Sequence, residues 1–469
     1  MAHSLATTDN EFESATRAAT LGVLVFVLRY EDLCAADSVA LRPLTHDGAG
    51  FEIGRASEVR PPAMEGKTFL LPDRFVSRVH ARVVRRDGKA FLEDAGSKLG
   101  TFVRGERIQG PVPLADGDVV EMGQSLFVYR LIDEPTAVRM ITRPAGFTFG
   151  PTRTLCPELM SLAIDLDRLA RSDQPILLLA ETGAGKEVAA RYVHDKSGRA
   201  GPFVAVDCGA IPEHLVEGEL FGHRRGAFSG AHEERKGRIR SAEGGTVFLD
   251  EIGNLPGTAQ ASLLRAIQEN EVTPVGADRG QKVDVRWVAA TNVDVFSEKS
   301  GFRADLRERL AGYVGMLPPL RKRREDLGFL VAHLLARRGV ERASITRAAA
   351  RALFLGDLPG NVREIERTLG SACLLMGDGP IDLQHLSALR ARAASEKEER
   401  ASEPPGVEAA DDGRRNKIRP SREMIEAALF RARGSQGEAA RLLGVHDRQL
   451  TRWMDAYGIP RSRKGLSGG

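Results

Sequence analysis

The stretch Ile176-Leu177-Leu178-Leu179-Ala180-Glu181-Thr182-Gly183-Ala184-Gly185-Lys186-Glu187 constrains this chain more than any other. Its opening aliphatics carry no polar alternation, so they read as a strand buried on both faces, as in a parallel sheet. A turn of small residues follows, with Lys186 where a helix would begin. Glycines there free the backbone to aim several N–H groups at one anion, and Lys186 adds a compact positive charge for phosphate oxygens. The pattern is a phosphate-binding loop with two departures. Ala180 stands where glycine is usual, and Glu187 where serine or threonine is usual. The same residues also suit an ordinary strand–turn–helix with a lysine at the helix start, and motifs elsewhere must choose between the two.

A single core does not grow indefinitely with length, so 469 residues imply roughly three domains. The net charge is +3, but residues 414–469 hold 13 Lys/Arg against 5 Asp/Glu, a local +8 that leaves −5 on the rest. A basic tail on a mildly acidic body points to a polyanionic partner for the tail. Cys34, Cys156, Cys208 and Cys373 are scattered, without metal-ligand spacing, and read as reduced thiols of a cytoplasmic protein. The apolar run Leu21 to Leu28 is too short to span a bilayer and follows an acidic polar leader. It reads as a buried strand, and no membrane segment is expected.

Residues 21–132 alternate short strands (Gly22–Tyr30, Ala81–Arg85, Ala90–Glu93, Val119–Met122, Leu126–Leu131) with Gly and Asp turns such as Asp116-Gly117-Asp118. An all-β sandwich follows. Gly54-Arg55, Ser77-Arg78-Val79-His80 and Gly100-Thr101 fall on loops of such a sandwich. Two arginines and a hydroxyl there form a fork for a dianionic phosphate, although surface arginines are commonly just solvated. The ordered set resembles a forkhead-associated (FHA) domain. The resemblance implies that Arg55 and Ser77 hold phosphothreonine on a partner protein, that Arg78 assists, and that His80 braces the loop. Two positions depart from that family: Leu99 and Arg104 stand where asparagine is frequent. An asparagine amide pairs with peptide backbone and leucine cannot. Phosphate binding is thus expected without a tight peptide grip.

Helical and strand patterns alternate over residues 145–390, as in a layered α/β domain. Glu187 to Lys196 continues as a helix, and Phe203–Val206 is a short buried strand. Gly244-Gly245-Thr246-Val247-Phe248-Leu249-Asp250-Glu251 is an apolar strand ending in two acids. Paired carboxylates there are costly without a cation or a task. Asp250 can hold Mg²⁺ and Glu251 can orient an attacking water, as phosphoryl transfer requires; the alternative is an acid pair opening a turn.

Several further segments then become recognisable. Glu219-Leu220-Phe221-Gly222-His223-Arg224-Arg225-Gly226-Ala227-Phe228-Ser229-Gly230-Ala231, Ala289-Ala290-Thr291-Asn292, Gly301-Phe302-Arg303-Ala304-Asp305-Leu306-Arg307-Glu308-Arg309, Leu317-Pro318-Pro319-Leu320-Arg321 and Leu358-Pro359-Gly360-Asn361-Val362-Arg363-Glu364 occur in order. Together they resemble the bacterial enhancer-binding proteins, AAA+ ATPases that activate RNA polymerase carrying sigma-54. In that family Glu after the loop lysine is normal, so Glu187 ceases to be a departure. The resemblance implies a site for ATP and Mg²⁺ at Ala180–Glu187 and Asp250, with Asn292 reading the γ-phosphate. It also implies that Arg363 reaches the nucleotide from a helical lid, that Arg303 and Arg309 are offered by a neighbouring subunit of a hexamer, and that Gly226–Ala231 contacts sigma-54. Without the resemblance, Arg303 and Arg309 could be a charged-helix pair. Gly226 and Gly230 bracket Phe228 on a polar-flanked loop, which suits a mobile tip with an apolar contact. Ser229 replaces a usual threonine and weakened contact is expected; Arg224 reverses a frequent glutamate. Asp207 replaces an asparagine that pairs with the catalytic glutamate, and close to Glu251 the two carboxylates would repel.

Residues 391–419 have a linker composition. Within 420–460, Arg422–Arg433 and Gly437–Tyr457 give helix, turn and helix, resembling the Fis-type DNA-binding module. Arg448, Gln449 and Arg452 fall early on the recognition helix, where side chains reach bases or phosphates, while Leu450 and Trp453 pack inward. Arg461, Arg463 and Lys464 are solvated or touch phosphate. Such modules are dimeric, which implies a roughly palindromic upstream site on double-stranded DNA; a small helical oligomerisation module is the alternative.

The expected architecture is multidomain: an all-β FHA sandwich, an α/β AAA+ ATPase with a helical lid, and an all-α helix-turn-helix. The expected function is ATP-driven remodelling of sigma-54 polymerase, with input from a Ser/Thr kinase through a phosphothreonine. The competing expectation is a DNA-bound regulator or phosphoprotein adaptor that binds nucleotide without remodelling, which Ala180, Asp207 and Ser229 favour.

Overall fold

The computed structural model describes residues 20–41, 43–57, 61–142, 146–227, 232–297 and 300–386, and, nearer the C-terminus, 422, 425, 429, 440, 447–457 and 459. They fall into two compact units, Met1–Lys397 and Glu398–Gly469. Phe228–Ala231, the 391–419 stretch, most of the first C-terminal helix and the trailing Arg461, Arg463 and Lys464 lie outside the described residues.

The first unit opens with β1 (Thr20–Arg29), β2 (Val39–Ala40), β3 (Gly50–Arg55), β4 (Ala63–Glu65), β5 (Thr68–Leu71) and β6 (Ala81–Arg86). It continues with β7 (Lys89–Asp94), β8 (Thr101–Val103), β9 (Glu106–Arg107), β10 (Val112–Pro113), β11 (Val119–Met122) and β12 (Ser125–Asp133). These make two six-stranded sheets, in the orders β2-β1-β12-β11-β8-β9 and β10-β7-β6-β3-β5-β4. Leu24, Phe26, Phe69, Phe127 and Tyr129 fill the space between them. Phe26, Phe69 and Phe127 meet in tilted and edge-on pairs with centroids 5.4–6.3 Å apart, the geometry that aromatic quadrupoles favour.

An exposed sandwich face should alternate polar and apolar. β1 does not: everything between its ends is buried. Leu24 and Phe26 point into the sandwich, while Val25 and Val27 pack on elements beyond it. The covering layer begins with α1 (Glu134–Thr142) and is completed by residues from the helical lid.

A hairpin, β13 (Phe147–Phe149) and β14 (Thr152–Thr154), leads into α2 (Pro157–Leu169). Then come β15 (Ile176–Leu179), α3 (Lys186–Ser197), β16 (Phe203–Asp207), β17 (Thr246–Asp250) and α4 (Gly257–Glu269). A small hairpin, β18 (Glu271–Val272) and β19 (Gln281–Lys282), precedes β20 (Arg286–Thr291), α5 (Ala304–Leu310) and β21 (Tyr313–Met316). The central sheet is β16-β17-β20-β15-β21, and every pairing in it is parallel. Separate apolar clusters cover its two faces, one around Leu177, Val247 and Leu263 and the other around Ile176, Leu178 and Phe248. Burial on both faces is why β15 and β20 lack alternation.

The lid is α6 (Leu327–Ala336), α7 (Arg347–Phe354) and α8 (Asn361–Leu375). The Thr346 hydroxyl caps α7 by accepting from the Ala349 N–H at 3.3 Å. In the second unit, α9 (Asp447–Ala456) buries Leu450, Trp453 and Met454 against Ile425, Ala440 and Ile459.

Candidate functional site

Parallel sheets carry ligand sites at the carboxyl ends of their strands. Three such ends converge here: β15 runs into Ala180–Gly185, β17 into Asp250-Glu251, and β20 into Thr291-Asn292. Gly183 and Gly185 take φ of +76° and +108°, which a side chain would resist. A Cβ on Gly183 would also stand 2.4 Å from the Gly360 carbonyl oxygen. No side chain caps α3. Its first N–H groups are therefore left for an anion, as at any uncapped helix start.

Lys186 is only 5% exposed. Its Nζ lies 2.5 Å from Glu251 Oε1 and 3.0 Å from Asp250 Oδ1, so the buried cation is neutralised locally. Glu251 has φ +53°, the left-handed region that non-glycine residues avoid, and its N–H donates to Asp250 Oδ1 at 2.9 Å. Its Oε2 is buried with no partner among the described residues. A strained backbone costs about 1–3 kcal/mol, and an orphaned buried oxygen costs about as much again. Asn292 donates from Nδ2 to Thr182 Oγ1 at 3.2 Å.

The lid closes on the same loop. Arg321 grips Glu181 with both ends of its guanidinium, at 2.7 and 2.6 Å, and these hydrogen bonds hold the Glu181 carboxyl down at about 2. Buried Asn361 donates to Glu181 Oε2 at 3.2 Å and to the Thr182 carbonyl at 3.1 Å. Arg323 donates to the Ala184 carbonyl at 2.6 Å, and the Val362 N–H to that of Gly183 at 3.1 Å. The Arg363 Cβ lies 3.2 Å from where a Cβ on Gly183 would be. Sequence reasoning finds Lys186, Asp250, Glu251, Asn292 and Arg363, and the structure brings them to one edge. It misses the work of Arg321, Arg323 and Asn361. Their signal is present: a basic cluster after Pro318-Pro319, and a buried asparagine with φ +52° after Pro359-Gly360.

Ala180, where glycine is usual, keeps an ordinary backbone. It is outside the left-handed region, and its N–H donates to the Thr291 carbonyl at 3.1 Å, so its methyl causes no strain. Asp207 is exposed at the end of β16, opposite Asp250 in register, and its Oδ1 accepts the Gly209 N–H at 3.0 Å. Lys186 is the direct ion-pair partner of Glu251. Arg303 and Arg309 are exposed on and just before α5 and touch none of the loop residues above; Arg303 pairs with Asp305 at 2.7 Å. Gly226 and Ala227 sit at the near side of a loop whose base is closed by His223 and Arg235, which exchange backbone hydrogen bonds of 3.1 and 3.0 Å. Phe228, Ser229, Gly230 and Ala231 are outside the described residues. A cavity of about 890 Å³ lies elsewhere, between the Gly146–Pro151 segment and Arg191, Tyr192 and Lys196, and contains none of the loop residues.

On the sandwich, Arg55, Ser77 and Arg78 gather on one rim. The Arg55 N–H donates to the Ser77 carbonyl at 3.0 Å, and its Nη1 to the Arg74 carbonyl at 3.4 Å. Gly54 is required there, because a Cβ would stand 2.0 Å from the Arg78 carbonyl oxygen. His80 is fully buried: Nδ1 accepts from the Ser77 N–H at 3.0 Å, and Nε2 lies 3.3 Å from the Gly100 carbonyl. Burial holds its pKa below the ordinary value, keeping the neutral ring as a brace. Arg104 is spent on Asp118, at 2.5 and 2.8 Å. Leu99 is 43% exposed. In the second unit Arg452 is exposed on α9; Arg448 and Gln449 lie on the same helix, with side chains outside the described residues.

Four families match in the expected order: FHA domain over residues 51–123, Sigma-54 interaction domain over 155–314, AAA+ ATPase lid domain over 321–403, and bacterial regulatory protein, Fis family, over 421–457. The chain is a multidomain protein in which a β-sandwich FHA domain precedes an AAA+ domain with a parallel sheet and a C-terminal Fis-family helix-turn-helix. It belongs to the family of sigma-54-dependent activators. The response regulator protein PilR of Pseudomonas aeruginosa is 38% identical over 310 residues, covering 65% of this chain and 68% of that one. The Nif-specific regulatory protein of Azotobacter vinelandii is 41% identical over 302 residues, 63% of this chain and 56% of its own. The nitric oxide reductase transcription regulator NorR1 of Cupriavidus necator is 42% identical over 306 residues, 61% and 60%. The chain thus spans less than two thirds of the latter two relatives. Among the described residues, no helix is long and apolar enough to cross a membrane.

Proposed function

We propose that this chain is a DNA-bound activator that hydrolyses ATP to remodel sigma-54 RNA polymerase into an open complex, under the control of a phosphothreonine partner. The observation that carries the reading is buried Lys186 held between Asp250 and Glu251 beneath a lid that grips the same loop. Those residues fit a magnesium nucleotide: an uncapped helix start and a lysine for phosphates, a carboxylate for the ion, and an orphaned carboxylate oxygen for water.

Bound ATP would supply the phosphoryl group, and Mg²⁺ would neutralise charge on it. Lys186 leaves its carboxylate partners for phosphate oxygens. Asp250 would hold the ion. Glu251 orients the attacking water through the oxygen that otherwise has no partner. Asn292 senses the terminal phosphate, and Arg363 reads it from the lid. Arg303 and Arg309 are exposed and engaged with nothing in their own nucleotide site, which suits their delivery to a neighbouring subunit; such an arginine accelerates phosphoryl transfer by roughly 10³–10⁵. That arrangement needs a ring, taken as a hexamer. The loop Gly226–Ala231, with Phe228 and Ser229 at its tip, is the proposed sigma-54 contact. Arg448, Gln449 and Arg452 are the proposed DNA contacts, and Arg55, Ser77 and Arg78 the phosphothreonine contacts, with a Ser/Thr kinase upstream.

The test is open-complex formation on a sigma-54 promoter by purified protein, with Lys186→Ala as control. Wild type should open the promoter and the variant should not. A wild type no better than Lys186→Ala would leave a DNA-bound adaptor.

A further inference from the structure

The outer face of the β1/β12/β11 sheet lies directly on the lid. Val27, Leu28, Tyr30, Val119, Leu126 and Val128 share one buried cluster with Leu320, Leu327, Val331, Leu353, Phe354 and Ile365. A large apolar contact of this kind makes two domains move together.

Inside that apolar seam run buried polar contacts, which tolerate only matched geometry. Glu121 is 1% exposed, yet it accepts from Tyr30 Oη at 3.1 Å and from Arg351 Nε at 2.8 Å. Arg347 lies 3.9 Å from the same carboxylate and donates to the Gly123 carbonyl. Both arginines stack on the Phe102 ring, 5.1 and 5.0 Å from its centroid. Further along, buried Arg130 of β12 donates to the Lys322 carbonyl at 3.2 Å and to Glu158 and Glu325.

These contacts continue in both directions. Toward the phosphate rim, Gly123 begins the β11–β12 turn, and the buried Asp73 carboxylate accepts from the Gln124 N–H at 2.7 Å and the Ser125 hydroxyl at 2.8 Å. Its other oxygen accepts the Phe75 N–H at 2.8 Å, pinning the segment that carries Arg74 and Ser77. Gly123 cannot change, since a Cβ would meet Asp73 Oδ2 and Val76 at 2.8 Å. Toward the nucleotide, Arg324 donates to the carbonyls of Phe354, Leu355 and Gly356 at the end of α7, at 3.2, 3.3 and 2.9 Å. Its neighbours Arg321 and Arg323 hold Glu181 and the Ala184 carbonyl of the phosphate loop.

We infer that the phosphate rim of the FHA domain is an allosteric site for the nucleotide loop, coupled to it through Asp73, the Gly123 turn, the Arg347–Arg351–Glu121 cluster and the Arg321–Arg324 segment. The inference rests on the phosphothreonine reading of Arg55 and Ser77. A phosphate there competes with the Arg74 carbonyl for Arg55 and so pulls on the segment that Asp73 pins. Linkage makes the effect reciprocal: the factor by which peptide changes nucleotide affinity equals the factor by which nucleotide changes peptide affinity.

The experiment uses the full chain, a degenerate phosphothreonine peptide library and a fluorescent ADP analogue, each titrated with and without the other. Wild type should show equal factors in the two directions, of about 5-fold or more. Arg347→Gln and Glu121→Gln, which lie outside both sites, should bind each ligand alone as wild type does and lose most of that factor. Arg347→Lys should keep more of it than Arg347→Gln. Two ligands that bind wild type with no mutual effect overturn the inference, as do variants that keep the full factor. Peptide that fails to bind wild type, or binds Arg55→Ala equally well, removes the phosphothreonine reading and the coupling with it; the peptide isotherm alone tells that case from a failure of coupling.

Discussion

At the nucleotide loop the cation is Lys186, 5% exposed and already held by two carboxylates. On the FHA rim the cations are Arg55 and Arg78, exposed and without a carboxylate partner among the described residues. Both regions are proposed to meet phosphate, and they differ in how the cation is held. A buried cation must be neutralised in every state, so on the proposed reading the lysine would trade carboxylates for phosphates and free the acids for a metal or a water. An exposed arginine needs no such partner; it meets its ligand from water and returns to water, which suits a reversible recognition contact. The first arrangement suits the proposed chemistry, and the second the proposed recognition of a signal.

The sharpest way to break this contrast is to remove the cation from each. Lys186→Ala strands Asp250 and Glu251 at the edge of a buried sheet, and several charge-assisted bonds of about 1.5–3 kcal/mol each disappear together. ATP turnover should fall at least about 100-fold, and acid repulsion should also lower the stability of the nucleotide-free protein. Arg55→Ala loses one such contact, for a loss of roughly 10- to 150-fold in phosphothreonine-peptide affinity with no change in stability. Turnover assays, peptide titrations and urea denaturation on both variants decide it. Equal stability losses would show that the two sites are built alike.

A gentler change sharpens the reading of the rim. Leu99 puts an exposed apolar side chain where an amide could pair with the peptide backbone. Leu99→Asn should gain one hydrogen bond, net about 0.5–1.5 kcal/mol, or roughly 2- to 12-fold in peptide affinity. Phosphate compounds without a peptide backbone should gain nothing. A uniform gain on both would mean that Leu99 only obstructs the phosphate.

Legibility in the sequence follows the same division between local and distant partners. β15, β17 and the loops after them are legible because each is a short unbroken pattern, and the Arg55 and Ser77 rim because glycine and hydroxyl positions mark it. The grip of Arg321 on Glu181 joins residues 140 apart in sequence, and that of Arg347 on Gly123 residues 224 apart. No local periodicity encodes such pairs. The docked face of the sandwich does leave a trace. Leu21 to Leu28 fails to alternate, and an unalternated strand in a sandwich must be covered on its second face. The same rule identifies β15 as a central strand; applied to β1, it implies that a neighbouring domain covers the sandwich. Asp207 and Glu251 read from sequence as acids that would repel if close; that Lys186, at the start of α3, is the direct ion-pair partner of Glu251 depends on the order of strands in the sheet and is not written in either segment.

The last test separates the two regions by pH. Burial lowers the His80 pKa from its ordinary 6.5, so the unfolded chain binds the proton more readily than the folded one. The stabilisation His80 gives is complete above about pH 6.5 and fades as pH falls toward the folded value. Its first casualty is the Ser77 N–H bond to Nδ1, since a protonated ring has no acceptor there. Glu181 has the same sign of linkage but a lower window: Arg321 holds it at about 2, so the clamp between lid and loop is complete above 4.5 and fades only as pH falls toward 2. Between about pH 7 and 5, hydrogen-exchange protection of the Ser77 amide should therefore drop severalfold, after correction for the intrinsic rate. The Val362 amide, which donates to Gly183 across the clamp, should keep its protection. A Ser77 amide that stays protected would mean that His80 braces the rim by packing alone, and parallel losses at both amides would mean that the rim and the clamp open as one unit.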